Sequence, residues 1–293
     1  MKILLLGKNG QLGWELHRAL QPLGEVTALD YPEINLTDFK PVREIIRNFR
    51  PDVVVNATAY TAVDQAESQP ELARKINGEA PGLLAEEVRL LHAGLIHFST
   101  DYVFDGTKNY PYVESDQPNP VNEYGKSKWE GEKAVQQAGE AYLIFRTSWV
   151  YSDRVGGFVN KVLQWARQQQ TLRIVDDQVA SPTWCRMLAE ASAQLLAAGK
   201  SDLFSYVQDK EGVYHLAGSG AASRYEWAQK ILELDPKRDE QVVKELLPAR
   251  TEEFPTPAAR PLYSALNCNH FTQTFGFCLP EWEFALKLAL GSN

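Results

Sequence analysis

Residues 2–20 read KILLLGKNGQLGWELHRAL, and this stretch predicts the fold of the chain. The apolar run Ile3–Leu6 is typical of a strand that is buried on both faces of a parallel sheet. The loop after it repeats glycine at every third position from Gly7 to Gly13, and Trp14–Leu20 has the pattern of an amphipathic helix. A glycine-rich loop between a first strand and a first helix is the arrangement that binds a dinucleotide.

Each glycine of this loop has a physical reason for its position. Gly7 permits the tight turn out of the strand, Gly10 lets backbone amides approach a pyrophosphate, and Gly13 packs the helix against the strand. Gln11 and Leu12 then lie at the positive N-terminal end of the helix, where a phosphate binds well. We therefore predict a dinucleotide site. A glycine-rich turn without a ligand is the alternative, which the position between strand and helix disfavours.

An acidic residue, Asp30, ends the second predicted strand, Val26–Leu29. A carboxylate at this point accepts hydrogen bonds from the ribose of NADH, whereas it would repel the 2′-phosphate of NADPH. Lys8 in the glycine loop would offset that repulsion, so NADH and NADPH both stay open as the cofactor. An ordinary solvated acid at a strand end is the structural alternative for Asp30.

Strands and helices alternate through the first half of the chain with short loops between them. This order is typical of a doubly wound parallel sheet, so we predict an α/β fold of the Rossmann type with a smaller α/β substrate-binding domain at the C-terminal side. The further predicted strands are Val53–Val55, Leu95–Phe98, Tyr142–Phe145, Leu172–Val175 and Val213–Leu216. Helices are predicted in residues 38–49, 70–91, 123–138, 157–170 and 185–198, and a loop in residues 250–270.

Beyond Tyr151 the alternation loosens, so the two predicted domains interleave. We assign residues 1–151, together with part of 172–205, to the nucleotide-binding domain. Residues 152–171 and 206–293 are assigned to the substrate domain, with approximate boundaries.

Composition and charge argue against several classes of function. The 293 residues carry a formal net charge of −8, so a basic face for nucleic acid is not expected. The three cysteines form no CxxC pair and the five histidines are scattered, so we predict neither a disulfide framework nor a metal site. The apolar run at the N-terminus ends at Gly7, too short for a signal peptide or for the roughly 20 residues of a membrane span. We expect a cytoplasmic protein that contacts neither membrane nor nucleic acid.

A second short motif, Y-x-x-x-K, separates Tyr124 and Lys128 by one helical turn. Residues at i and i+4 share a helix face, so the Lys128 ammonium is predicted to lower the pKa of the Tyr124 phenol from its usual value of about 10. Tyr124 can then donate a proton to a carbonyl oxygen whose carbon receives a hydride, and Lys128 can bind the ribose of the nicotinamide. A surface helix that happens to hold a tyrosine and a lysine is the alternative, which the preceding glycine loop disfavours.

Two strand ends add hydroxyl and small side chains at one edge of the predicted sheet. Thr100 follows the strand Leu95–Phe98, and ligands of doubly wound sheets bind at the C-terminal ends of strands. We predict that its hydroxyl binds the reacting oxygen, with a hydroxyl that only caps the strand as the alternative. The segment Asn56–Thr61 follows the strand Val53–Val55, and its small residues leave room for a cofactor.

Seven motifs occur in a fixed order along the chain: GKNGQLG (7–13), NATAYTAVDQAE (56–67), STDYVFDG (99–106), YGKSKWEGE (124–132), FRTSWVY (145–151), VDDQVASPT (175–183) and TPAARPLYSALN (256–267). Together they closely resemble the dTDP-4-dehydrorhamnose reductase family, a branch of the extended short-chain dehydrogenases/reductases. The resemblance runs from Lys2 to about Leu290. Its most specific parts are STDYVFDG, FRTSWVY and the D-D-Q-x-x-S-P-T segment.

The resemblance implies that NAD(P)H reduces the C4 ketone of dTDP-4-dehydro-L-rhamnose to dTDP-L-rhamnose, a precursor of cell-surface polysaccharide. It implies a catalytic trio of Thr100, Tyr124 and Lys128. Cofactor contacts are implied at Gly10, Gln11, Leu12, Asp30, Asp38, Phe39, Ala59, Tyr60 and Thr61, beside Gly7 and Gly13 of the loop and the pair Tyr124 and Lys128. Substrate contacts are implied at Thr100, Asp101, Tyr102, Trp149 and Arg260, with Trp149 packed on the sugar or base and Arg260 on the diphosphate.

The chain departs from the family at one feature. Some members form a dimer around a magnesium ion that three glutamates hold, and Glu15 matches the first of them. The second position is Arg186, which would repel Mg²⁺, and the third falls near Ser292. We therefore expect no metal site, and a monomer or weak homodimer.

Two other functions stay open from the sequence. A related reductase would act on a different nucleotide 4-keto-6-deoxy sugar, because loops of the C-terminal region shape the sugar pocket. The chain also resembles the regulatory subunit of methionine adenosyltransferase, which serves as a non-catalytic binding partner. A regulator has no need for Thr100, Tyr124 and Lys128 together, so their joint presence favours an enzyme.

Overall fold

The fold contains longer strands of four to seven residues and short strands of two residues that lie between loops. The computed structural model describes residues 1–154 and 156–291. In chain order the strands are β1 (Lys2–Leu6), β2 (Glu25–Leu29), β3 (Val53–Asn56), β4 (Gly94–Thr100), β5 (Tyr142–Thr147), β6 (Val150–Tyr151), β7 (Thr171–Val175), β8 (Val179–Ala180), β9 (Thr183–Trp184), β10 (Gly212–His215), β11 (Ala222–Ser223) and β12 (Glu245–Ala249).

Helices separate most of these strands. In chain order they are α1 (Gln11–Leu20), α2 (Phe39–Phe49), α3 (Val63–Ala66), α4 (Pro70–Arg74), α5 (Ala80–Leu90), α6 (Glu123–Ala138), α7 (Gly157–Ala166), α8 (Cys185–Ala198), α9 (Leu203–Gln208), α10 (Arg224–Glu233), α11 (Asn269–Phe275) and α12 (Trp282–Leu290). Within the described ranges, no helix has both the length and the apolar character that crossing a membrane requires.

One large parallel sheet organises the molecule. In the part of the chain that the structure describes, six strands form it in the order β2-β1-β3-β4-β5-β10. The chain moves outward from β1 to β2 and then crosses back to β3 on the other side of β1. The C-terminal ends of β1 and β3 therefore flank the switch point, where doubly wound sheets bind ligands. The α/β class and the Rossmann-type sheet predicted from the sequence are confirmed.

Helices on both faces explain the continuous apolar run of β1. Ile3 and Leu5 pack in a core with α1 and α8, whereas Leu4 and Leu6 pack in a second core with α2 and α5. All four side chains are inaccessible to solvent. Burying each such side chain contributes about 1.5–3 kcal/mol, so the strand that carries the glycine loop is also one of the most firmly packed.

The helical stretch predicted at residues 70–91 is interrupted by a π-helical turn. This turn, Lys75–Glu79, lies between α4 and α5. The buried Asn77 in it accepts a hydrogen bond from the Tyr60 amide at 2.8 Å and donates to the Ser127 hydroxyl at 3.0 Å. Widened helical turns of this kind often occur near functional sites. Here the turn ties the loop after β3 to helix α6.

A smaller region on the C-terminal side has its own core. Strand β7 pairs with β12 in a parallel ribbon, β6 pairs with β9, and β8 pairs with β11 in the antiparallel sense. Helices α7, α10 and α12 pack around Tyr151, Trp184, Trp227 and Leu286. The motif FRTSWVY leads directly from β5 of the large sheet into β6 of the smaller region. It thereby connects this core to the large sheet.

Some elements lie elsewhere than predicted. Strand β10 falls within residues 206–293, which we assigned to the substrate domain, yet it pairs with β5 in the large sheet. Strand β7 crosses from the range 152–171 into the range 172–205, of which only part was assigned to the nucleotide-binding domain, and it pairs with β12 of the smaller region. A short apolar strand fits either sheet, so long-range pairing decides its place. Helix α7 ends at Ala166 and not at residue 170, since β7 begins at Thr171. The division into two domains stays a prediction.

Candidate active site

A cavity of about 530 Å³ opens at the C-terminal ends of β1, β3 and β4. It brings together most of the site residues that the sequence predicted, although these are spread along the chain from Gly7 to Trp149. The predicted residues in its lining are Gly7, Gly10, Gln11, Leu12, Asp30, Ala59, Thr61, Thr100, Asp101, Tyr102, Tyr124, Lys128 and Trp149.

Five predicted residues lie outside this lining. Asp38 and Phe39 begin helix α2, and the Tyr60 hydroxyl donates to the side-chain oxygen of Gln69 at 3.0 Å. Gly13 lies beneath the loop, and Arg260 lines a different cavity.

Among the lining residues that the sequence analysis missed is Arg224. Its one sequence signal is the capping box Ser223-x-x-Glu226, which marks the start of a helix but no ligand.

The glycine loop has the geometry that its spacing predicted. Gly7 has φ of +92°, and a Cβ there would approach the Ala57 carbonyl carbon and the Thr58 nitrogen to 2.9 Å. A Cβ on Gly13 would lie 1.8 Å from the Gly7 carbonyl oxygen, so only glycine lets α1 pack this closely. Gly10 is the N-cap of α1 and offers no side-chain cap. Among the residues that the structure describes, no side chain caps the first turn, so its amides remain available to an anion in the cavity.

Asp30 lies at the edge of the cavity with its carboxylate fixed by backbone amides. Its Oδ2 accepts from the Asn9 amide at 2.9 Å and its Oδ1 from the Tyr31 amide at 2.7 Å. Lys8, which we expected to offset the charge of Asp30, forms its ion pair with Glu33 at 2.5 Å. The Asp30 carboxylate is thus held close to the glycine loop.

Tyr124 is held at the start of α6 by a well-formed N-terminus. The buried Asn122 caps the helix by accepting from the Gly125 amide at 2.8 Å, and it donates to the Ala259 carbonyl at 2.8 Å. A Cβ on Gly125 would lie 2.2 Å from the Tyr102 carbonyl oxygen, so this turn packs directly on the segment after β4. The rings of Tyr102 and Tyr124 meet edge to face at 5.8 Å.

The predicted lowering of the Tyr124 pKa is wrong for this structure. Burial raises the pKa of Tyr124 well above its ordinary value, and a hydrogen bond with Thr100 only partly opposes that effect. The Lys128 ammonium is turned toward β4, where it donates to the Phe98 carbonyl oxygen at 2.6 Å. The phenol is therefore protonated at neutral pH, which is the state that a proton donor needs.

Lys128 is a buried cation whose partners belong to the sheet. Its side chain is only 1 % exposed, and burial lowers the pKa of Lys128 to about 8. The Nε2 atom of His97 lies 3.5 Å from its Nζ, and burial holds the pKa of His97 well below the usual value. Asn56 fixes that imidazole, with Nδ2 at 3.1 Å from His97 Nδ1. A neutral histidine beside the ammonium leaves Lys128 as the local positive charge.

Asp101 ties the end of β4 to the motif TPAARPLYSALN. The buried carboxylate accepts from the Ser264 hydroxyl at 2.5 Å and from the Thr100 hydroxyl at 3.1 Å. Burial raises the pKa of Asp101 to about 6, and these hydrogen bonds act in the opposite direction. Thr100 also accepts from the Tyr102 amide at 3.2 Å, so it both caps the turn and faces the cavity.

Trp149 and Arg224 form the wall of the cavity nearest the smaller region. Trp149 has φ of +40° and stacks on Trp227 at 5.4 Å between ring centroids. The guanidinium of Arg224 lies 3.7 Å from the centre of the Trp149 ring. The exposed part of Trp149 therefore presents an aromatic surface beside a cation.

Arg260 does not line this cavity, although its charge acts on Tyr102 and Arg224, which do. Its Nη2 atom lies 2.8 Å from Asp64 Oδ2, and its Nη1 donates to the Ala258 carbonyl at 2.7 Å. The hydrogen bond from Arg260 lowers the pKa of Asp64. Arg260 lines a separate cavity together with Asp105 and Asp177.

Glu15, which matches a magnesium ligand of some family members, is engaged in ion pairs here. The Glu15 carboxylate is 2 % exposed and accepts from Arg18 at 2.8 Å and from Arg186 at 3.3 Å. Ser292, the third position, lies outside the described residues. Among the residues described, no three His, Cys, Asp or Glu side chains form a group that would hold a metal ion.

The cavity fits a nicotinamide dinucleotide. An uncapped helix N-terminus suits a pyrophosphate, Asp30 suits a ribose, and Lys128 has donors left for a further hydroxyl because only the Phe98 carbonyl accepts from it at short range.

Fold and site together define the class: a nucleotide-dependent oxidoreductase of the short-chain dehydrogenase/reductase type. A family model described as the RmlD substrate binding domain matches residues 1–292. The chain belongs to the dTDP-4-dehydrorhamnose reductase family.

Curated relatives agree with this membership over nearly full length. The chain is 41 % identical over 293 residues to a dTDP-4-dehydrorhamnose reductase of Burkholderia thailandensis, covering 99 % of this chain and 98 % of that protein. It is 40 % identical over 298 residues to the enzyme of the same name from Escherichia coli, covering 99 % and 97 % of the two chains.

Solved structures give the same family and extend the fold further. A dTDP-4-dehydrorhamnose reductase from Clostridium acetobutylicum superposes with a TM-score of 0.90 at 36 % identity, covering 99 % of both chains. One from Bacillus anthracis, in complex with NADP, gives 0.88 at 32 % identity, covering 100 % of this chain and 99 % of that one. A UDP-glucose 4-epimerase of Thermus thermophilus shares the fold, with a TM-score of 0.80 at 20 % identity over 100 % of this chain and 98 % of that one.

Proposed function

We propose that this chain reduces the C4 ketone of dTDP-4-dehydro-L-rhamnose to dTDP-L-rhamnose with NADPH or NADH. The observation that carries the proposal is the meeting of Tyr124, Thr100 and Lys128 in one cavity beside the glycine loop. The names of the relatives support the substrate, and the NADP complex of one similar structure supports the cofactor. The nicotinamide cofactor supplies the hydride when it is bound.

Tyr124 donates the proton in this proposal. Its raised pKa keeps the Oη proton in place at neutral pH until negative charge develops on the ketone oxygen. The Thr100 hydroxyl, which donates to Asp101 in this structure, turns to donate to the ketone oxygen and holds it in line with Tyr124. General acid catalysis of this kind contributes about 10²- to 10⁴-fold to a rate.

Lys128 stabilises the tyrosinate that remains after proton transfer. Its ammonium is buried, so its charge is weakly screened and acts over a longer distance than it would in water. We propose that it also donates to a ribose hydroxyl of the nicotinamide nucleoside. The hydrogen bond to the Phe98 carbonyl fixes the ammonium on the side of β4 and limits the positions it can take.

Further residues hold the two ligands. The pyrophosphate is surrounded by the loop residues Gly7, Gly10, Gln11 and Leu12. Asp30 accepts a hydrogen bond from the adenosine ribose. On the side of β3 the cofactor contacts Ala59 and Thr61. Asp38, Phe39 and Tyr60 stay predicted cofactor contacts that would need the adenosine to extend beyond the cavity. Asp101, Tyr102 and Trp149 contact the sugar, with the Trp149 ring against its apolar face.

We also propose a cytoplasmic enzyme that acts as a monomer or weak homodimer without nucleic acid. The net charge of −8 disfavours nucleic acid, and the ion pair of Glu15 with Arg186 replaces the acidic pair that a bridging metal would need. Size-exclusion chromatography with light scattering, at several protein concentrations, measures the oligomeric state.

The test of the reaction is a panel of substrates with purified protein. Turnover of dTDP-4-dehydro-L-rhamnose, followed by oxidation of NADPH or NADH and by the C4 configuration of the product, is the expected result. Turnover only of another dTDP-linked 4-keto-6-deoxy sugar would replace the proposed substrate. Absence of turnover with every ketone, while the cofactor binds, would favour a regulatory role and overturn the proposal.

A further inference from the structure

Arg224 is a cation at the boundary between two cavities. It is the first residue of α10, directly after the capping residue Ser223. Its half-buried guanidinium contacts the face of Trp149 at 3.7 Å and that of Phe158 at 4.8 Å. Stacking on two aromatic rings fixes a guanidinium without consuming its hydrogen-bond donors.

In the described part of the chain Arg224 forms no direct salt bridge, although the Asp101 carboxylate acts on its charge from farther away. This sets it apart from Arg260, which pairs with Asp64 at 2.8 Å, and from Arg173, which pairs with Glu253. The Tyr102 hydroxyl forms a hydrogen bond with Arg224, and burial lowers the pKa of Arg224. A partly buried guanidinium without a direct salt bridge keeps donors free, so an anion that enters the cavity would bind it strongly.

A groove adjoins the catalytic cavity on the far side of Arg224. It has a volume of about 470 Å³, and its lining includes Phe158, Trp165, Leu172, Ile174 and Phe254. Arg224 belongs to the lining of both spaces. Among the described residues that line this groove there is no aspartate or glutamate. Apart from Gln169, its walls are aromatic and aliphatic, and its two charged residues, Arg173 and Arg224, are positive.

We propose that Arg224 binds the diphosphate of the nucleotide sugar and that the groove beyond it receives the pyrimidine base. A nucleotide sugar is linear, with the sugar, the diphosphate and the nucleoside in that order. If the sugar lies at Tyr124 and Trp149, the next group along the molecule reaches Arg224, and the flat base reaches the aromatic groove. This assignment rests on the proposed function and deepens it.

The competing route leads into the cavity that Arg260 lines. That cavity also contains Asp105 and Asp177. Hydrogen bonds from the Thr107 amide and the Asn119 side chain, among others, lower the pKa of Asp105 to about 2 despite its partial burial, so it is anionic at neutral pH. A diphosphate there would meet carboxylates, and Arg260 would have to leave Asp64.

Binding of dTDP measured by calorimetry tests the assignment. In Arg224→Gln the Kd for dTDP should rise about 10- to 100-fold, as expected when one charge-assisted contact is lost. The Kd of Arg224→Lys should lie between that of the wild type and that of Arg224→Gln. Thymidine, measured by competition, should bind within about threefold of its wild-type affinity. Arg89→Gln, which removes an exposed arginine on α5, is the matched control and should bind dTDP as the wild type does.

Phe254→Ala probes the groove itself, because this half-exposed ring can be removed with little effect on packing. It should weaken both dTDP and thymidine. Unchanged dTDP affinity in Arg224→Gln, with a loss in Arg260→Gln, would overturn the assignment in favour of the other cavity. Melting temperatures and cofactor affinities of all variants identify any that fail to fold.

The steady-state constants separate this assignment from the proposed reaction. In Arg224→Gln the KM for the nucleotide sugar should rise with little change in kcat. If dTDP binding depends on Arg224 but the wild type reduces no rhamno-configured ketone, the diphosphate site stands and the proposed function fails. If the wild type reduces that ketone while Arg224→Gln binds dTDP normally, the function stands and this assignment fails.

Discussion

The Ser264 hydroxyl donates a hydrogen bond to the Asp101 carboxylate at 2.5 Å, across 163 positions of sequence. This contact joins the end of β4, which carries Thr100, to the segment that precedes α11. Both residues are buried, so the carboxylate lies in a region of low dielectric where its charge is poorly solvated. The stability of the active site therefore depends on the protonation of Asp101.

The first prediction concerns pH and the Asp101→Asn variant. Because burial raises the pKa of Asp101 to about 6, the folded state binds this proton more tightly than the unfolded state does. The free energy of unfolding therefore falls as pH rises from about 4 to about 6, by on the order of 2 kcal/mol from this group. Melting temperatures across this range should fall less steeply with pH in Asp101→Asn than in the wild type. Parallel curves would contradict the assignment.

A second prediction concerns Lys128 and the alkaline limb of the rate profile. Burial lowers the pKa of Lys128 to about 8, so the ammonium loses its proton as pH rises through that value. The kcat/KM of the wild type should therefore decline above about pH 8, because the free enzyme loses the cation that stabilises the tyrosinate. In Lys128→Met kcat should fall about 100-fold and this decline should vanish. A decline that persists unchanged in the variant would assign it to another group.

A third prediction uses two glycines of the same loop. A Cβ on Gly13 would lie 1.8 Å from the Gly7 oxygen, so Gly13→Ala should lose stability by several kcal/mol or fail to fold. A Cβ on Gly10 has the Gly7 oxygen as its nearest neighbour, at 3.5 Å, so Gly10→Ala should fold normally. It should bind the dinucleotide at least about tenfold more weakly, because the methyl group occupies space at the helix N-terminus. Thermal melting and cofactor titration measure both effects, and a Gly10→Ala protein with wild-type cofactor affinity would argue against a pyrophosphate at this loop.

A fourth prediction concerns the ion pair of Glu15 and Arg186. Arg186→Ala should lower the melting temperature, because a nearly buried carboxylate keeps only Arg18 as a partner. In a double-mutant cycle with Glu15→Gln the two losses should be less than additive. Chelation of divalent metal should leave the melting temperature and the activity of the wild type unchanged. A loss of activity in chelator that Mg²⁺ restores would show that a metal acts on this protein after all.

The sequence predicted best those features whose residues lie close together in the chain. Gly7, Gly10 and Gly13 share one loop, and Tyr124 and Lys128 share one helical turn, so spacing alone fixes their geometry. The place of Thr100 in the cavity followed from its position at a strand end, and that of Trp149 from the resemblance of its motif. The resemblance could not give protonation, however: the direction of the Tyr124 pKa depends on burial that many distant residues create.

The features that escaped prediction depend on long-range packing. Arg260 was expected at the diphosphate because its fork suits phosphate, yet Asp64, which lies 196 positions earlier, pairs with it. Arg224 carries no motif beyond a helix cap, and its position beside Trp149 follows from the stacking of Trp149 on Trp227. Strand β10 pairs with the edge of β5 in the large sheet. No local sequence pattern reveals which sheet edge a short strand will join.

The most direct test of the account is the single-turnover rate of ketone reduction in Tyr124→Phe. This change removes the proton that Tyr124 donates and little else, and Tyr110→Phe, at an exposed tyrosine, is the matched control. With dTDP-4-dehydro-L-rhamnose and saturating cofactor, the rate should fall about 10²- to 10⁴-fold in Tyr124→Phe and stay unchanged in the control. A Tyr124→Phe protein that reduces the ketone at the wild-type rate would show that the proton comes from another group.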